Sequence, residues 1–324
     1  MSMGRGQARA VQVGGGVPDL EKKGFWSRAW KFRVFYLFLV PAFIWYAIFC
    51  YYPMYGILIG FKEFKYNLGI LGSPWVGLRY FRNFLTDSYF YSILRNTLNI
   101  SLLKLVCGFP APIILALLIN EVIHVRYKKI VQTLSYLPHF ISWVVAVSLL
   151  QKLFSPYTGI INELRMLFNP NATGIFYLGE SNYFYPLVIL SDIWKGVGWG
   201  SIVYLAALTN IDPTLYEAAD IDGAGRWAKI HRITLPSIFP TIGILLIMSL
   251  AGILNAGFDQ IYLMQKPSTL QVSEVLDTYV LKKGIQQGNF SYSTAVGVFK
   301  SLISMILIII VNNVSRRVSE VSLW

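Results

Sequence analysis

EAADIDGAGRWAKIHRITLP, residues 217–236, is polar, charged and broken by glycine, yet it stands between two apolar runs in a chain whose residues are 55% hydrophobic. A mean hydropathy of +0.53 with only 14% charged residues leaves too much apolar side chain for an ordinary soluble domain of 324 residues. Six runs are long and apolar enough for bilayer-crossing helices: about 35–60, 97–120, 130–154, 184–208, 236–257 and 292–314. None alternates in the manner of a barrel strand, so the expected fold is an all-α integral membrane protein with six spans. The quoted stretch is then the loop before the fifth span.

Charge sets the orientation. With both termini cytoplasmic, fifteen lysines and arginines fall on the inner segments, nine on the outer loops and four in or beside spans. The positive-inside rule therefore predicts N-in, C-in, with the loop cytoplasmic. The net charge of +12 flanks spans instead of forming a patch with interleaved aromatics, so nucleic acid is not an expected partner. The expected organisation is a basic, partly disordered segment 1–33, a six-span domain 34–316 and a cytoplasmic tail 317–324. The first run is a retained span, not a signal peptide, because it is long, lacks a small-residue cleavage site and follows more than thirty hydrophilic residues. Cys50 and Cys107 lie in apolar runs without CxxC spacing and predict neither a disulfide nor a metal site.

No catalytic constellation is visible. The nearest approach to a phosphate-binding loop, Gly297-Val-Phe-Lys300-Ser301, lacks the glycine before lysine and sits in a span. His124, His139 and His231 lie in three separate segments, and there is no HExxH or GxSxG. Not an enzyme, with no cofactor in the chain, is the expectation; if ATP drives the protein, another chain binds it.

Within the loop, Asp212-Pro213 predicts an N-cap and first turn, with a short helix running through Leu215, Glu217 and Ala218. Gly223 supplies the left-handed residue that ends it, and residues 226–233 form a second short helix before Pro236 and Pro240. Ala218, Ala219 and Ala224 keep the surface low while Glu217 and Asp222 offer carboxylates, which suits a docking knob as well as a plain amphipathic connection.

The spacing Glu217-Ala218-Ala219, then Gly223, Ile233 and Leu235-Pro236, resembles the signature of permease subunits in bacterial binding-protein-dependent ABC importers. Asp222, Ala224 and Pro240 also fit, whereas Ile230 stands where that family commonly has phenylalanine. Further stretches, among them GFPAPIILALLINE (108–121), YLPHFISWV (136–144) and YSTAVGVFKS (292–301), are similar to the polysaccharide-type permeases of the carbohydrate importers, and to the first permease subunit of alginate importers. The resemblance implies the type I importer fold, in which a coupling helix, here in the loop of about 209–236, docks on the ATPase. It implies a bacterial inner-membrane protein partnered by a second six-span permease, two ATPase subunits that hold ATP and magnesium, and an extracytoplasmic solute-binding protein. The cargo would be an oligosaccharide, and the surroundings membrane lipid.

Ionisable groups inside spans point to the pathway. Lys104, Asp192, Lys195 and Lys300 are the candidates, with Trp194 and Trp199 as sugar-stacking rings or interfacial anchors. Asp192 and Lys195, three apart, are able to pair on one helix face. Lys104 and Lys300 have no acid within a turn, leaving a distant partner or snorkelling. Gly196, Gly198 and Gly200 are read as packing glycines. The rival reading, an ion-coupled secondary transporter of sugars, requires an internal repeat that residues 35–154 and 184–314 do not display.

Overall fold

The computed structural model describes Trp30 and residues 32 to 319. Most of the expected N-terminal segment, and the tail beyond Ser319, lie outside the described residues. The chain divides into two units, Met1–Tyr55 and Gly56–Trp324. In the first, the helix from Arg33 onward exposes apolar side chains all round, from Val34 to Met54. A helix apolar on every face suits hydrocarbon, not water.

The principal helices are α1 (Arg33–Phe61), α2 (Ser88–Asn120), the bent pair α3 (Val125–Phe140) and α4 (Trp143–Leu153), and then α5 (Ile160–Phe168), a short helix on the following loop. After it come α6 (Ser181–Thr209), α7 (Pro213–Ile221), α8 (Arg226–Ala251), α9 (Phe258–Met264), α10 (Leu276–Leu281) and α11 (Phe290–Ser319). Four of them (α1, α2, α8, α11) are long and apolar enough to cross a membrane, and the α3–α4 pair, bent by 100°, makes five if it is one span. The count therefore falls short of the six expected. α6 has the length, 29 residues, but Asp192, Lys195 and three glycines dilute its apolarity.

Three of the helical prolines share one arrangement. The carbonyl that a helical proline ring would strike belongs to the residue four before it. For Pro53, Pro110 and Pro236 that residue is Phe49, Val106 and Arg232, and each lies within a π-helical turn, at 47–51, 104–108 and 230–234. The wider turn moves the carbonyl aside, so each helix continues through its proline. The third turn also overturns the expectation of a separate helix at 226–233: those residues are the first turns of α8 itself.

In the second unit, α6 is the central post. It packs along the second half of α2, with the α3–α4 break and α8 also against it. Gly198 explains the closeness of one contact, since a Cβ there would collide with the backbone carbonyl of Ser135 on α3. Gly200 lies against Pro112, whereas Gly196 has open space beside it, so the packing role holds for two of the three glycines.

The segment between α8 and α11 is irregular yet buried, with Val275, Leu276 and Thr278 fully inside. Backbone of that kind survives at membrane depth only if side chains satisfy it. Asn96 on α2 donates to the carbonyls of Gln271 (2.8 Å) and Glu274 (3.2 Å), and Thr97 Oγ1 accepts from the Leu276 amide at 3.0 Å. Gln265 donates to the Ser273 carbonyl at 2.7 Å. The Glu274 carboxylate, itself buried, takes Lys282 at 2.7 Å and the Tyr89 hydroxyl.

Candidate functional site

The loop after α6 is built as its residues dictate. The Asp212 carboxylate accepts the Thr214 amide at 2.9 Å, and Pro213 opens α7. That bond holds the Asp212 carboxyl below its ordinary range, because the backbone amide stabilises the charged form. At the other end Gly223 has φ +71°. The Ala224 amide returns to the Ala219 carbonyl at 2.8 Å and the Gly223 amide to Asp220 at 3.1 Å, which is a complete Schellman stop. Asp220 pairs with Lys229 across the turn, and Tyr216 hydrogen-bonds Thr234 at 2.9 Å. The loop helix α7 is thus tied to α8 by two contacts.

Its outer surface is left bare. Glu217, Ala218 and Asp222 are exposed, with Ala219 and Ala224 partly so, and Ile221 is 88% exposed. Among the described residues neither Glu217 nor Asp222 makes an ion pair. Ile221 and the unpaired carboxylates of Glu217 and Asp222 are thus all on the open side of the loop.

Deeper in the chain, a cavity of about 280 Å³ opens between α2, α6 and the end of α8. Lys104, Asp192, Gly196, Ser249 and Asn255 are among the residues that line it. Lys104 opens the π-helical turn of α2, and its ammonium reaches Asp192 at 2.9 Å and Gln260 Oε1 at 2.5 Å. Gln260, fully buried on α9, is fixed in turn by donating to the Val188 carbonyl (2.7 Å) and Ser191 Oγ (2.8 Å). Lys104 therefore joins three elements and still faces the cavity.

This network corrects the local pairing of Asp192 with Lys195. The partner of Asp192 is 88 residues away, because α6 turns Asp192 toward α2 and Lys195 toward the α3–α4 break. There Lys195 donates to the His139 carbonyl at 2.6 Å and lies 5.5 Å from the centre of the Trp143 ring. A bend strips carbonyls of their helical partners, and a lysine satisfies one of them. Trp199 stacks on His139 (4.6 Å, 4° between planes), so that ring braces the same break. Trp194 lines a separate apolar cavity of about 330 Å³ with Leu190 and Phe154. Lys300 finds Asp277 at 2.5 Å. Of the six pathway candidates, then, only Lys104 and Asp192 come together at the polar cavity. Gln260 and Asn255 escape sequence reasoning, since Gln260 follows Asp259 in FDQIYLM and gives no isolated polar signal.

Among the described residues no group of three or more His, Cys, Asp or Glu side chains is placed to hold a metal, and Cys50 and Cys107 are free and exposed.

Comparison with known proteins places this geometry. Residues 108–320 match the family described as binding-protein-dependent transport system inner membrane component. The chain is 45% identical over 292 residues to the polygalacturonan/rhamnogalacturonan transport system permease protein YteP of Bacillus subtilis (strain 168), covering 90% of each. It is equally identical, 45% over 291 residues, to Protein LplB of the same organism, across 89% of this chain and 90% of the relative. A chain in the crystal structure of a bacterial alginate ABC transporter, in complex with an alginate pentasaccharide-bound periplasmic protein, superposes with a TM-score of 0.85 at 38% identity over 93% of this chain and 100% of that one. These likenesses favour the permease reading over the ion-coupled one.

Proposed function

The chain belongs to the binding-protein-dependent transport system inner membrane components, and from that premise we propose that it builds half of the translocation pathway of an ATP-driven oligosaccharide importer. It is a permease of the sugar and polysaccharide class and catalyses no bond change. Six spans, with α3–α4 as the third and α6 as the fourth, place both termini and the 209–236 loop in the cytoplasm. One loop per chain calls for a second six-span permease, so that two loops engage two ATPase subunits, which hold ATP and magnesium. An extracytoplasmic solute-binding protein delivers the sugar.

The observation that carries this reading is the knob itself: α7 is exposed, ended by a positive-φ glycine and hydrogen-bonded to α8. Glu217, Ala218, Ala219, Asp222, Gly223 and Ala224 form the contact. Closure of the ATPases on ATP drives the two knobs together and rocks the attached helices, so that the cavity turns outward to receive cargo. The cargo is an acidic oligosaccharide: relatives are named for polygalacturonan and for the acidic polysaccharide alginate. A carboxylate loses hydration on entering a membrane cavity and requires cationic or donor groups there. Lys104 is the cation that faces the cavity, and an arriving carboxylate replaces Asp192 as its partner. Lys195, with Trp194 and Trp199, and Lys300 with its own acid, shape the pathway wall.

The test is Gly223→Val in the reconstituted importer. Nothing lies within 4 Å of the position a Cβ would take, so the cost is backbone strain alone, about 1–2 kcal/mol. Membrane insertion is retained while uptake and substrate-stimulated ATP hydrolysis fall. Stimulation equal to wild type would remove the coupling role.

A further inference from the structure

Between α4 and α6, the helix α5 turns an apolar stripe away from the protein. Ile160, Leu164, Leu167 and Phe168 recur at three- and four-residue spacing on one face, and Leu167 and Phe168 are 78% and 88% exposed. The opposite face is locked down. Asn162, 1% exposed, donates to the carbonyls of Ser155 (2.9 Å) and Ile175 (3.0 Å) and accepts the Ile175 amide at 3.0 Å. Arg165 adds a bond to the Thr173 carbonyl at 2.8 Å. Rolling the stripe inward would break all four bonds, so its outward direction is built in.

The height of α5 is fixed as well. Ser155, which Asn162 grips, is two residues beyond the end of α4. The returning strand of loop is held by Tyr177, which packs on Phe154 (5.5 Å) and on Tyr183 in the first turn of α6 (4.9 Å). Aromatic clusters at helix ends mark the membrane–water boundary. At 29 residues, α6 is about 44 Å long against a hydrocarbon core of about 30 Å, so its first turn stands among headgroups. The exposed Leu149 and Leu153 of α4 continue the apolar surface up to that level.

We infer that α5 lies in the membrane plane with its stripe sunk at the boundary between headgroups and acyl chains, lipid being the occupant. The stripe carries no charge, and Glu163 offsets Arg165 within the helix, so apolar burial rather than anionic lipid holds it. Tethering at both ends makes nine residues sufficient, because insertion is intramolecular. Through α5, the C-terminal end of α4 is anchored to the bilayer surface. The inference rests on α6 crossing the membrane, and is independent of the cargo.

The test labels single cysteines with an environment-sensitive fluorophore in the Cys50→Ser, Cys107→Ser background. Leu167→Cys, Phe168→Cys and Leu164→Cys probe the stripe, and Leu190→Cys probes the middle of α6. The full chain, with the subunits that co-purify, is placed in vesicles of phosphatidylcholine and phosphatidylglycerol. The stripe labels are expected to emit to the blue and to lose emission to a spin label near the lipid headgroup, but not to aqueous iodide, in high and low salt alike. Iodide quenching on the stripe with lipid quenching at position 190 overturns the inference alone. Iodide quenching at all four positions removes the α6 span and the inference with it. Stripe labels open to iodide until a solute-binding protein is added would assign the surface to that protein, and equally overturn the lipid assignment.

Discussion

Removing the charge on Asp192 is expected to damage this protein more than removing the charge on Lys104, although the two form one ion pair. Across 2.9 Å the attraction at an effective dielectric of about 20 is about 6 kcal/mol before desolvation. Desolvation and the opening of Asp192 to the cavity reduce the coupling to about 2 kcal/mol. The two side chains are unequally open, 15% for Lys104 and 35% for Asp192. Asp192→Asn strands an enclosed ammonium with Gln260 as its remaining strong acceptor, at a cost of about 3 kcal/mol. Lys104→Gln leaves a carboxylate that cavity water can reach, at about 1.5 kcal/mol. Thermal unfolding in detergent, at about 2 °C per kcal/mol for a chain of this length, then reads drops of about 6 °C and about 3 °C. The double variant should fall by about 5 °C, less than the sum, because the stranded charge is gone. Additive losses, or a larger loss for Lys104→Gln, would refute the pairing and its placement at the cavity wall.

Gly198→Ala forces a methyl against the Ser135 carbonyl and is expected to cost about 2–3 kcal/mol with loss of the α3–α6 contact, whereas Gly196→Ala, with open space beside it, is stabilising by up to about 1 kcal/mol; parallel melts compare them. Lys195→Gln should lose about 1.5–3 kcal/mol and impair uptake of acidic and neutral oligomers of equal length alike, since its ammonium serves the His139 carbonyl; selective loss of the acidic oligomer would place it on the cargo instead. The Asp212 carboxyl is held below its ordinary 3.8 by the Thr214 amide, so the cap is complete above that value and is lost as pH falls through the lowered one. The protection factor of the Thr214 amide, its exchange corrected for the intrinsic rate at each pH, should therefore hold at neutral pH and fall only in acid, while Asp212→Asn keeps an acceptor and loses the acid response.

The knob was legible in the sequence because its determinants are local. Asp212, Pro213 and Gly223 each act through a backbone conformation or a bond to a residue one or two positions away, and the structure returns the cap, the first turn and the positive φ where the residues demand them. The apolar runs were legible for a similar reason, since membrane character is a sum over neighbouring residues. What local reasoning could not supply was how helices would run through their prolines. The π-helical turn at 230–234 merges an expected short helix into α8.

The ionic partners were decided by tertiary structure alone. From sequence, Asp192 and Lys195 share a helix and invite pairing, while Lys104 and Lys300 stand without an acid nearby. Helix packing replaces the first pairing and supplies the distant partners that the second left open: Asp192 and Lys195 sit about 60° apart around α6, enough for one to meet α2 and the other the α3–α4 break. Lys300 is answered from α10, 23 residues before it. The charge in a low-dielectric interior goes to whichever opposite group the fold brings within reach, and sequence distance does not enter Coulomb's law. Sequence thus determined which residues are ionisable and that they lie among apolar neighbours; only the placement of α6 among its neighbours decided which of them face a cavity and which mend a broken helix.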